Sequence, residues 1–90
     1  MESFHNEYTD KLMDTIIKIK TKKECYDFFE DVCTIKEILD MAKRLEAAKL
    51  LSSGMNYKQI ISKIDISSAT LSRVSRALNY GTGGYKKAIE

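Results

Sequence analysis

Apolar residues recur at helical intervals along most of this chain. Phe4, Tyr8, Leu12, Ile16 and Ile19 succeed one another at spacings of four, four, four and three. That rhythm predicts an amphipathic helix over residues 3–20. Met13 and Ile17 widen its stripe beyond what a small monomer readily covers, so the face suits a partner subunit. Thr21 and Glu24, three apart, have the form of a capping box and open a second helix, with Cys25, Phe28, Phe29 and Val32 expected inward. A second box, Thr34 with Glu37, opens a third helix running to about Ser52. Ile35, Ile38, Ala42, Leu45 and Leu51 mark its apolar face, and Gly54 supplies the left-handed residue that ends it. The chain has no proline, so these boundaries are written by caps.

Residues 56–80 are the stretch around which the rest is organised. Asn56 is a plausible N-cap and Gln59 completes its box. Ile60, Ile61 and Ile64 then give a short apolar face. Asp65-Ile66-Ser67-Ser68 breaks the helix, because Asp and Ser compete for backbone hydrogen bonds, and Ser67 or Ser68 can cap the next helix. In that helix Leu71, Val74 and Leu78 share one stripe. Ala69, Arg73, Arg76 and Tyr80 oppose it, flanked by Thr70, Ser72 and Asn79. That outer face holds no acidic residue. Small side chains at its start permit close approach of a partner, and Arg, Ser and Thr supply donors for phosphate oxygens and base edges. A short helix, a turn of roughly four residues and a longer helix make a helix-turn-helix, whose second helix enters the DNA major groove. The competing reading is a helical hairpin with solvated arginines.

The run Ser68-Ala69-Thr70-Leu71-Ser72-Arg73-Val74-Ser75-Arg76-Ala77-Leu78-Asn79-Tyr80-Gly81, with Gly83-Gly84-Tyr85 just beyond it, resembles the Trp-repressor-like family, and its YerC/YecD branch in particular. Cys25-Tyr26-Asp27-Phe28-Phe29 and Arg44-Leu45-Glu46-Ala47-Ala48 extend the resemblance over most of the chain. It implies an all-α, Trp-repressor-like helical bundle, an intertwined homodimer with one reading head per subunit. The Trp repressor holds its corepressor between the recognition helix and the preceding scaffold helix, with an Arg from each. The resemblance therefore implies effector-binding roles for Arg73 and for Lys43 or Arg44. The turn Asp65-Ile66-Ser67 departs from the small, glycine-containing turn of the repressor. Val74 stands where the repressor has a glycine beside the pocket, and its bulk argues against tryptophan as corepressor.

Charge sharpens this picture. Residues 1–40 carry six Lys against ten acids, a net of −4; residues 41–90 carry nine Lys or Arg against three acids, a net of +6. A basic half gathered around a helix-turn-helix is the footprint of a DNA binder. Ninety residues make one small structural domain that needs a partner to bury enough surface. Within it, residues 1–53 form the helical scaffold and dimerisation region, 54–80 the DNA-reading head, and 81–90 a Gly-rich turn and basic tail. Cys25 and Cys33 lack metal or redox spacing and are expected to be buried thiols. His5 stands alone, and no nucleophile–base pair or metal cluster suggests an enzyme or a resident cofactor. Gly81-Thr82-Gly83-Gly84 lacks the Lys-Ser/Thr of a phosphate-binding loop. Neither a signal peptide nor a membrane span is expected, which predicts a cytoplasmic protein.

The expectation is a DNA-binding transcriptional regulator, a repressor, acting as a homodimer on double-stranded DNA. Ser68, Ala69, Thr70, Ser72, Arg73 and Arg76 would meet DNA from the second helix, and Lys58 and Lys63 would hold its backbone from the first. The rival is a helical protein–protein adaptor that does not bind DNA.

Overall fold

A computed structural model describes residues 3–90. It contains six helices among the described residues and no strand: α1 Glu7–Ile16, α2 Lys22–Val32, α3 Ile35–Ser52, α4 Tyr57–Lys63, α5 Ser68–Tyr80 and α6 Gly84–Ile89. Contacts divide the chain into two compact units, Met1–Thr34 and Ile35–Glu90. The sequence-based boundary at 53/54 falls inside the second unit, where α3 packs against α4, α5 and α6.

The first unit is two capped helices. α1 is shorter at both ends than the apolar spacing predicts. Asn6 takes an extended conformation, and its side chain accepts from the amides of Tyr8 and Thr9, each at 2.9 Å. The Thr9 hydroxyl oxygen accepts from the Asn6 amide at 2.7 Å, completing a reciprocal box that leaves Phe4 outside. At the far end Thr15, Ile16, Ile17 and Ile19 crowd β-branched side chains, which lose rotamer freedom in a helix. The chain leaves through amides of Lys18 and Ile19 that bond three residues back. Thr21 caps α2 as expected, accepting from the Glu24 amide at 3.1 Å; the Glu24 carboxylate accepts from the Thr21 hydroxyl at 3.1 Å.

Neither helix contains a buried residue. Phe28 and Phe29 are half-buried and meet edge to face, but Cys25 is exposed, Val32 is 55% exposed and Cys33 is only half-buried. The expected inward placement of Cys25 and Val32, and of both thiols in a core, is therefore corrected. Two short amphipathic helices cannot bury their own apolar stripes.

The second unit has a core. Ala47, Ala48, Ile60, Ile66, Leu71 and Val74 form it, with Leu50, Leu51, Met55, Ile64, Tyr85 and Ile89 packed around them. α3 buries Ala47 and Ala48, not its large residues: Ile35 is 75% and Leu39 54% exposed. The apolar face predicted from spacing is thus only partly the face used within the chain, because alanine lets two helix backbones approach where bulky side chains would hold them apart. α3 ends in a Schellman motif. Gly54 is left-handed at φ 96°, its amide bonds Leu51, and the Met55 amide bonds the Leu50 carbonyl at 3.1 Å.

The last ten residues, expected as a turn and basic tail, instead close into α6 after Gly83. The cause is a pair of apolar residues four apart, Tyr85 and Ile89, which land on the core. None of the helices is long and apolar enough to cross a membrane.

Ile60 is fully buried and anchors α4 to the core. Ile60→Ala should cost about 2–5 kcal/mol through lost burial and the residual cavity. At about 4–8 °C per kcal/mol for a chain of this size, thermal unfolding by circular dichroism should show Tm lower by at least about 8 °C.

Candidate nucleic-acid interface

α4 begins as its sequence dictates. The Asn56 side chain accepts from the Gln59 amide and the Gln59 side chain accepts from the Asn56 amide, both at 2.9 Å. It ends at Ile64, which is extended, and residues 64–67 form the turn. Ser67 then caps α5 by accepting from the Thr70 amide at 3.1 Å, while its hydroxyl donates to the Thr70 hydroxyl at 3.0 Å. Two local caps thus set where each helix starts. The shared core of Ile60, Ile66, Leu71 and Val74 sets how α4 and α5 meet.

α5 is divided as the pattern predicts. Leu71, Val74 and Leu78 are buried. Ser68, Ala69, Ser72, Arg73, Arg76 and Tyr80 are exposed, as are Lys58 and Lys63 on α4. Among the described residues neither Arg73 nor Arg76 has an ion-pair or hydrogen-bond partner. Each guanidinium therefore has its full fork of donors available for a planar acceptor. Thr70 stands apart from this group. It is half-buried, bonded to Ser67, and faces a cleft against α3. Its role in the structure is to hold the start of α5.

That cleft, about 220 Å³, is lined by Lys36, Asp40, Lys43, Arg44, Asp65, Ile66, Ser67 and Thr70. The expected effector set is only partly gathered there: Lys43 and Arg44 line it and Arg73 does not. Val74, 2% exposed, belongs to the core. Charges of both signs alternate along the cleft wall. Lys36 Nζ lies 2.8 Å from Asp40 Oδ2, and Lys43 Nζ lies 3.5 Å from Asp65 Oδ2. The hydrogen bond from Lys36 holds the Asp40 carboxyl below the usual carboxylate range; desolvation opposes it, and the positive charges of Lys36, Lys43 and Arg44 add to the lowering. Asp40 in turn raises the Lys36 ammonium, through the same hydrogen bond and then through charge. No group of three or more metal-binding side chains occurs among the described residues.

Sequence reasoning singles out Lys43, Arg44 and Thr70 in this neighbourhood and misses its charged members Lys36, Asp40 and Asp65. Asp65 reads from the chain as a turn residue only. Its pairing with Lys43 has no signal in local spacing, since 22 positions separate the two.

An all-helical unit with a capped helix-turn-helix and an acid-free, arginine-bearing outer face defines the class. The family model of the Trp repressor protein matches residues 7–90, and the chain belongs to that family. It is 46% identical over 81 residues to the uncharacterised protein YerC of Bacillus subtilis, covering 90% of this chain and 78% of that one. Among solved structures it is similar to a TrpR-like protein from Eubacterium eligens, with TM-score 0.89 and 46% identity over 92% of this chain and 86% of the other. A candidate Trp repressor from Staphylococcus aureus superposes with TM-score 0.90 at 36% identity, covering 94% and 85% respectively.

The Lys36–Asp40 pair has a defined pH signature. Asp40 is depressed in the folded state, so its contribution to stability is present above the unfolded carboxylate pKa and is lost as pH falls through the lower, folded value. The pair is exposed, so that contribution is small. An NMR titration of the Asp40 carboxyl should give a midpoint below the ordinary carboxylate value, and Lys36→Met should move it upward.

Proposed function

We propose that this protein is a transcriptional regulator that binds double-stranded DNA as a homodimer, laying α5 in the major groove and acting as a repressor. The observation that carries the reading is the outer face of α5. Arg73 and Arg76 stand there unpaired, with Ser68, Ala69 and Ser72 beside them and no acid among them. A guanidinium with two free N–H groups matches the O6 and N7 acceptors of guanine, and small hydroxyl side chains suit either base edges or phosphate. Lys58 and Lys63 would grip the backbone from α4. Such a face favours DNA as partner, because a set of donors with no acid among them suits the phosphate oxygens and base edges of a polyanion. A regulator of this kind works where the DNA is, in the cytoplasm.

Dimerisation is supported by what one chain leaves uncovered. Phe4, Tyr8, Ile17 and Tyr26 are each at least 60% exposed in the first unit. In the second unit Ile35 and Leu39 are also exposed. Apolar surface on this scale is stable when a second copy covers it. Two reading heads then meet half-sites about 34 Å apart, one turn of the duplex. Gating by a small-molecule corepressor would use the cleft carrying Lys43 and Arg44.

The test is selection from random duplex DNA, with affinity then measured across salt concentrations. A palindromic site should emerge, with log affinity falling linearly against log salt. Arg73→Ala and Arg76→Ala should each cost about 1–3 kcal/mol on that site and leave Tm unchanged. Lys58→Gln should instead weaken all duplexes alike and reduce the salt slope by about 0.9. Full affinity for the selected site in both arginine variants would overturn the assignment.

A further inference from the structure

Between residues 47 and 89 the chain carries seven Lys or Arg and a single acid, Asp65. That acid is placed conspicuously. It lies in the turn between α4 and α5, three residues before Ser68, and its side chain is fully exposed. Three residues of chain span at most about 10–11 Å, well inside the Debye length of about 30 Å at low ionic strength (about 0.01 M). Any phosphate lying against the first turn of α5 would therefore feel this carboxylate.

The structure gives Asp65 no other employment. Its one polar partner among the described residues is Lys43, at 3.5 Å. Lys43 Nζ belongs to a side chain 41% exposed, so the pair is a solvated one of a kind that adds little to stability. Asp65 caps neither helix: that work is done by Asn56 and Ser67. The carboxylate thus does two electrostatic things at once. It repels phosphate beside the reading helix, and it pairs with the ammonium of Lys43, which lines the cleft with Arg44 and Asp40.

We infer that Asp65 is a brake on sequence-independent DNA binding, acting by like-charge repulsion at the turn and by occupying Lys43. The inference rests on the DNA-reading role proposed for α5. Non-specific affinity comes almost wholly from phosphate contacts, so one acid within reach of the phosphates lowers affinity for arbitrary duplex. Base-edge contacts from Arg73 and Arg76 must then supply the binding that phosphates alone do not. Lys43 is the counterweight, and its charge fixes how strong the brake is.

The experiment measures affinity of the full chain for random duplex, from low salt upward, in four proteins: wild type, Asp65→Asn, Lys43→Gln and the double variant. Asp65→Asn should tighten random-duplex binding about three- to fivefold at low salt and steepen the salt slope by about 0.9, the effect of one additional phosphate contact. Lys43→Gln should weaken binding. The double variant has the same net charge as the wild type and should return close to it in affinity and slope. All four should melt within a few degrees of one another, since neither side chain supports the core. Unchanged or weaker random-duplex binding in a folded Asp65→Asn protein would overturn the brake while leaving the DNA reading in place. A wild type that binds no duplex even at low salt would overturn both.

Discussion

The contact on which the second unit depends is the seating of α5 against α3 over two alanines. Ala47 and Ala48 are wholly inaccessible, and they share a core with Leu71 and Val74 of the recognition-type helix. Helix axes approach to the short end of the usual 8–10 Å when the side chains between them are small. That close approach makes the burial of Leu71 and Val74 possible, and it brings the turn before α5 beside Lys43 and Arg44. Ile60 then locks α4 from a second side, and Tyr85 and Ile89 brace the unit through α6. The orientation of Arg73 and Arg76 is a result of this seating. They point outward because the opposite stripe of the same helix has been consumed by the alanine seat.

How much of this is legible in the chain divides by range. The box of Asn56 with Gln59, the cap at Ser67, the Thr21 cap and the stop at Gly54 are interactions across three to five residues, and each can be read from the chain directly. The two faces of α5 are legible for the same reason, because a regular helix carries its periodicity into space. What the chain does not disclose locally is partner choice. Nothing in spacing distinguishes the alanine side of α3 from the side bearing Ile35 and Leu39, and only packing selects the first. The short α6 escapes a reading by pattern because a hexamer with four-apart apolar residues has no helical stability apart from the core it lands on. The cap at Asn6 overrides an apolar rhythm that continues through it.

In the candidate site, the same distinction separates residues that share a face from residues that share a space. Ala69, Ser72, Arg73 and Arg76 are predicted together from one helix and are exposed together. Lys43, Arg44 and Arg73 are grouped by resemblance across two helices, and the structure brings only the first two to the cleft. Thr70, one residue beyond Ala69, turns from the outer face to the cap and the cleft wall. A step of about 100° per residue is enough to move a side chain from one role to another.

The helix boundaries have a consequence in time. Side-chain caps start α1, α2, α4 and α5, extended residues or a glycine end α2, α4 and α5, and the chain holds no proline at all. Peptide-bond isomerisation at proline is the step that commonly holds refolding back for tens of seconds. Here that step has no substrate. Caps and turns of this length form in microseconds, so the pace of recovery after unfolding is left to diffusion and to the packing of helices. A chain built this way is ready for its task almost as soon as its helices have met.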